Sequence, residues 1–175
     1  FNGFENFGKV ESIEKIQTER MDEVVNLPRI DFAKLDIQGA ELTVLQNGCD
    51  KLDSCLAVQV EVSYICLYEN QPTFGDVDVW MRSQGYAPHC FLDIKKWSIK
   101  PTIFDNNLRI AGNQLLESDI LYIRDPIQIS ELSDLQIKKM AVLSHYTIQS
   151  IDLCVFLLLE LERRKIIPVD GHKYY

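Results

Sequence analysis

Residues 30–48 read IDFAKLDIQGAELTVLQNG, and this run decides the fold class. Its opening, residues 30–37, alternates: Asp31, Ala33, Leu35 and Ile37 fall on one side, Phe32, Lys34 and Asp36 on the other, which is the period of a strand. Gly39 then allows a sharp turn, Ala40, Leu42, Val44 and Leu45 recur at helical spacing, and Asn47-Gly48 ends the helix. Strand, turn and helix in succession are half of a βαβ unit.

Working outward, residues 56–63 (LAVQVEVS) form a second strand, rich in β-branched residues, with Gln59, Glu61 and Ser63 on one side. Thr73 caps a helix with Asp76 in its first turn; Phe74, Val77, Trp80 and Met81 make its apolar face and Gly85 ends it. Residues 86–93 and 120–124 are further strands, and residues 94–118 between them lack periodicity, so a long functional loop is expected there. Upstream, residues 10–26 begin extended and end helical, with Thr18 as cap and Met21, Val24 and Val25 at helical spacing, until Leu27-Pro28 stops the helix. Beyond residue 130 the pattern is purely helical. Ser133-x-x-Gln136 is a capping box, and a second helix, apolar nearly all round, runs from Ser150 or Ile151 to Lys165. The expected architecture is an α/β parallel sheet in residues 1–126, followed by an α-helical hairpin in residues 127–175.

Composition narrows the function classes. The chain has 175 residues, of which 46% are hydrophobic and 25% charged, as in a packed domain. Its longest apolar run, residues 153–159, is far short of the ~20 residues of a membrane span. A net charge of −8 leaves no basic footprint for nucleic acid. The 5 cysteines contain no C-x-x-C pair, which fits free thiols in a reducing, cytoplasmic setting. No G-x-G-x-x-G fingerprint is present.

Two neighbouring strands thus place Lys34 and Asp36, and Gln59, Glu61 and Ser63, on a shared face. Strands within a parallel sheet are covered on both faces, so these groups are expected to be partly buried and either paired or used. One reading is a structural Lys34–Asp36–Glu61 ion cluster. The other follows from Asp36 and Glu61 sitting near the carboxyl ends of their strands, where open α/β sheets bind ligands. Glu41 suits the helix dipole, and His89 reads as a strand histidine with its hydrogen bond satisfied or as an acid–base group. Two carboxylates could share a divalent cation, but no third or fourth ligand is evident, and no metal is expected.

Lys34-x-Asp36-x-Gln38-Gly39-Ala40-Glu41, the later Gln59-x-Glu61 strand and the turn Leu67-Tyr68-x-x-Gln71-Pro72-Thr73-Phe74 together resemble the FkbM family of methyltransferases, and residues 18–25 (TERMDEVV) look like its Thr-x-x-Leu-Asp element with Met21 for Leu. The resemblance implies a class I, Rossmann-like sheet that uses S-adenosylmethionine, mostly to methylate hydroxyl oxygens of small molecules or glycans. It implies that Asp36 and Glu61 are catalytic, that Gln38, Gly39 and Ala40 line the cleft beside the donor methyl, and that Tyr68 lines the acceptor pocket or simply packs. The family's glycine-rich turn after the first strand and acid after the second are not found, so the chain is expected to hold roughly the fourth to seventh strands, with the first strands missing. The opposing expectation is a non-catalytic binding or assembly module that keeps the fold. The hairpin either caps the sheet or serves self-association into a homo-oligomer.

Overall fold

The computed structural model describes residue 1, residues 9–168 and residue 173. Four strands, β1 (Phe32–Leu35), β2 (Ala57–Ser63), β3 (Tyr86–Trp97) and β4 (Gln114–Arg124), form one sheet in the order β1-β2-β4-β3. β1 and β2 run parallel, joined by helices α1 (Glu41–Gln46) and α2 (Cys49–Leu52). β4 is antiparallel to both of its neighbours, so the sheet is mixed rather than parallel throughout. Helix α3 (Phe74–Ser83) links β2 to β3; its capping box is the expected one, with the Thr73 amide donating to Asp76 Oδ2 at 2.8 Å.

The alternation in β2 divides the core. Val58, Val60 and Val62 pack with Leu35, Ile120 and Tyr122 under α1, α2 and α3. Ala57, Leu121 and Ile123 face the other way, toward helices α4 (Asp134–Leu143) and α5 (Ile151–Arg163), whose Ile137, Met140, Leu153 and Leu157 complete a second core. Of the two roles open to these helices, covering the sheet is one they perform. The cover is partial: it reaches Ala57 and Ile123 but leaves Gln59, Glu61 and their neighbours as the polar half of that face.

Three further expectations change. Residues 94–118 are not a single loop, because β3 runs on to Trp97 and β4 begins at Gln114, making a long hairpin arm. Register shifts at Pro88/Cys90, Phe91/Asp93 and Lys95/Lys96 break the period-two pattern, which is why the strand is invisible as an alternation. Residues 10–26 hold one 3-10 turn at Met21–Glu23 and no longer helix; among them only Met21 packs against the core, while Ile13 and Ile16 are exposed. Finally, Lys34 and Asp36 are exposed rather than partly buried, since no helix covers that end of β1.

α5 carries an acid-sensitive anchor. Arg163 Nε donates to Glu160 Oε2 and Arg164 Nε to Glu160 Oε1, both at 2.7 Å, and Arg164 also reaches the Ile129 and Leu132 carbonyls. The Arg163 bond, opposed by burial and reinforced by Arg164, holds the Glu160 carboxyl down at about 2. A carboxyl depressed below its unfolded value of about 4.3 stabilises the fold fully above that pH and loses the contribution as pH falls toward 2. Thermal melts across this window should therefore fall more steeply for the wild type than for Glu160→Gln. Parallel curves would mean that the pair contributes nothing to the docking of α5.

Candidate functional site

The β1–α1 turn is built by its own carboxylate. Glu41 is buried, and its Oε1 accepts from the Ile37 amide at 2.8 Å while Oε2 accepts from the Gly39 amide at 2.9 Å. This fixes Gln38 and Gly39 in left-handed conformations, φ 59° and 108°, the second of which favours glycine. Glu41 thus does more than complement a helix dipole. The space that a side chain on Gly39 would enter is taken by Gln71 and Tyr68, with a Cβ landing 3.3 Å from Gln71 Cγ. Gln71 locks the facing turn: its Oε1 accepts from the Leu67 amide at 2.7 Å and its Nε2 donates to Ser63 Oγ at 2.8 Å.

The turn aims Gln38 across the carboxyl ends of the parallel pair. Gln38 Nε2 donates to Glu61 Oε2 at 2.7 Å and lies 3.4 Å from Asp36 Oδ1, while Tyr68 donates its hydroxyl hydrogen to Gln38 Oε1 at 3.2 Å. Asp36, Gln38, Glu61 and Tyr68 are thereby brought together. Gly39 supports them from behind, and Ala40 points elsewhere, onto a cleft of about 1010 Å³ between residues 17–24 and α1. Lys34 pairs with Asp36 at 3.6 Å in solvent and does not complete an ion cluster with Glu61.

The partner of Glu61 comes from the arm. Lys95, on β3, donates to Glu61 Oε1 at 3.3 Å and to Glu117 Oε1 at 2.7 Å. Burial, then the Glu117 carboxylate, push the Glu61 carboxyl above the ordinary glutamate range; Lys95 opposes them and Asp36 adds to the rise. Lys95 and Glu117 were missed because both lie in the stretch without periodicity. The pair Glu117 and Asp119, two apart beside a strand, was the one signal of an alternating polar face. His89 bonds Ser150 Oγ at 2.9 Å and joins β3 to the start of α5, a structural contact.

A family model, the methyltransferase FkbM domain, matches residues 1–88, half of the chain. The chain belongs to the FkbM methyltransferase family. No curated protein and no solved structure matches it significantly. The match spans β1, the Glu41-bound turn, β2 and α3, so Asp36, Gln38, Glu61 and Tyr68 all lie inside it. Lys95 and Glu117 lie outside the matched residues, on the β3–β4 arm. The general chemistry of the family is methyl transfer from S-adenosylmethionine. The residues present fit one side of a donor site in part: exposed Asp36 and Gln38 make a polar rim, while the cleft at Ala40 is lined by residues 17–24 and α1 and takes in neither of them.

Proposed function

We propose that the full-length protein is an O-methyltransferase in which this chain supplies the acceptor-side half of the site. The observation that carries the reading is the Gln38-centred bridge between Asp36, Glu61 and Tyr68 at the carboxyl ends of two parallel strands, the place where open α/β sheets bind ligands. S-adenosylmethionine, when bound, supplies a methyl group on a positively charged sulfur. A hydroxyl acceptor that took up such a group would have to lose its proton to a residue of the protein. A carboxylate whose proton affinity is raised by burial suits that task, so Glu61 is assigned as general base. Gln38 and Lys95 hold both of its oxygens in place, Asp36 orients the incoming hydroxyl at the exposed rim, and Tyr68 lines the acceptor side. Positioning of this kind contributes most of the rate in an in-line displacement, on the order of 7–11 kcal/mol in well-oriented systems.

β1 also supports a shared site. It is a sheet edge with a strand on one side only among the described residues, and it carries the Asp36 rim at its end. A donor-binding half adding its strand to that edge would meet Asp36 and Gln38. Residues 1–126 would then be the carboxyl-terminal half of a class I domain. A binding module without catalysis is the second reading, favoured by the space at Gly39 being filled by Gln71 and Tyr68.

Calorimetric titration of this chain alone with S-adenosylmethionine is expected to give no dissociation constant tighter than about millimolar. The residues present offer a rim and a cleft, without the family's glycine-rich turn or ribose-binding acid. A micromolar constant would overturn the shared-site reading and make the chain self-sufficient for the donor.

A further inference from the structure

The most conspicuous surface outside the site is the tip of the β3–β4 arm. The hairpin runs past the end of β2, whose last residue Ser63 pairs with Glu117, and its tip spans residues 98–113. Ile99, Ile103, Phe104 and Leu108 are 59%, 48%, 43% and 46% exposed there, a density of large apolar side chains that isolated soluble surfaces rarely show. The tip is nevertheless ordered. Ser98 is buried and its hydroxyl donates to the Ile110 carbonyl at 2.9 Å, closing the loop at its base. The Asn107 amide donates to the Phe104 carbonyl at 2.8 Å, and the Asn107 side chain accepts from the Arg109 amide at 2.9 Å. The apolar display is therefore built into a folded turn.

Charge identifies what the turn faces. In a chain of net charge −8, residues 96–113 carry three cations, Lys96, Lys100 and Arg109, and one anion, Asp105, and Lys96 and Arg109 are exposed. Apolar side chains interleaved with cations suit the boundary of an anionic bilayer, where the side chains enter the acyl edge and the cations meet headgroup phosphates. The acidic cluster lies back along the hairpin. Gln114 to Glu117 is roughly 10 Å of strand, about one Debye length, so screening weakens the repulsion of Glu117 and Glu61 by the lipid. A second copy of the chain fits less well. It would bring another net charge of −8, and the exposed edge of β3 is interrupted by the register shifts that oppose strand addition.

We propose that this tip docks on an anionic lipid bilayer surface, a property separate from methyl transfer. The test is co-sedimentation of the whole chain with large vesicles, either of phosphatidylcholine alone or of phosphatidylcholine mixed with phosphatidylserine. Wild-type chain is expected to pellet with the mixed vesicles, to be released by salt, and to stay largely in solution with phosphatidylcholine alone. The double variants Phe104→Ser/Leu108→Ser and Lys96→Glu/Arg109→Glu should each lower the partition coefficient at least about tenfold. Their melting temperatures should be unchanged, since all four side chains are exposed. Failure of the wild type to bind mixed vesicles, or equal binding by the variants, overturns the proposal. So does a vesicle-free sedimentation experiment in which the same variants dissociate a dimer, because the surface would then belong to a second copy.

Discussion

Exchanging Glu61 for glutamine is expected to lower methyl transfer by the full-length protein at least about a hundredfold, the low end of what a positioned general base contributes. Glutamine keeps the shape but cannot take the hydroxyl proton, and its amide turns an acceptor for Gln38 or Lys95 into a competing donor. Asp36→Asn should move the rate in the same direction with a smaller effect on packing, because Asp36 is exposed. The pH profile of the wild type carries a second signature. Glu61 must be ionised to act, and its carboxyl lies above the ordinary range, so the rate should fall with decreasing pH at a value higher than that of an unperturbed glutamate. Single-turnover rates and melting curves together decide the matter. If both variants keep wild-type turnover, the catalytic assignment is wrong; if both unfold, the cluster is a structural device.

The largest stability effect should come from the opposite end of the sheet. Arg124, on β4, donates from Nε to the Cys55 carbonyl at 2.8 Å and from Nη1 to the Gln84 carbonyl at 2.9 Å, and from Nη2 to the Asp53 carbonyl. Its guanidinium also lies 4.3 Å above the Tyr86 ring. One side chain on β4 thus ties together the segments that follow α2 and α3. Arg124→Met removes the charged donors and leaves several carbonyls without partners, at a cost of about 3 kcal/mol. For a chain of this size that corresponds to a fall in melting temperature of roughly 6–12 °C. Arg124→Lys should recover little, because an ammonium cannot reach three divergent carbonyls at once. A melting temperature for Arg124→Met within about 2 °C of the wild type would show that water replaces the guanidinium at no cost.

The parts legible in the sequence are those in which local chemistry and tertiary structure agree. β2 shows as an unbroken alternation because both of its faces are used, and the Thr73–Asp76 and Ser133–Gln136 boxes show because capping is a local hydrogen-bond problem. Asp36 and Glu61 could be placed on a shared face from strand parity, whereas Gln38 came from the family resemblance and not from any periodicity. The hairpin arm was hidden because each register shift moves the side-chain pattern to the other face, and with it went Lys95, the cation that completes the cluster. Glu41 was undervalued for a different reason. Its role depends on the carboxylate folding back over two amides of its own turn, which residue spacing does not encode. Asp22, which the sequence does not single out, accepts from the Lys51 amide at 3.0 Å and fastens the extended segment to α2.

The most direct measurement is an amide NMR titration of the full-length protein with S-adenosylmethionine, followed at Gln38, Gly39 and Glu61. Donor bound beside the Glu41-held turn should shift the Gln38 and Gly39 amide signals saturably, with Glu61 moving through its bond to Gln38, while the Arg124 signal stays in place. Saturable donor binding that leaves Gln38, Gly39 and Glu61 unmoved would contradict the placement of methyl transfer at the carboxyl ends of β1 and β2.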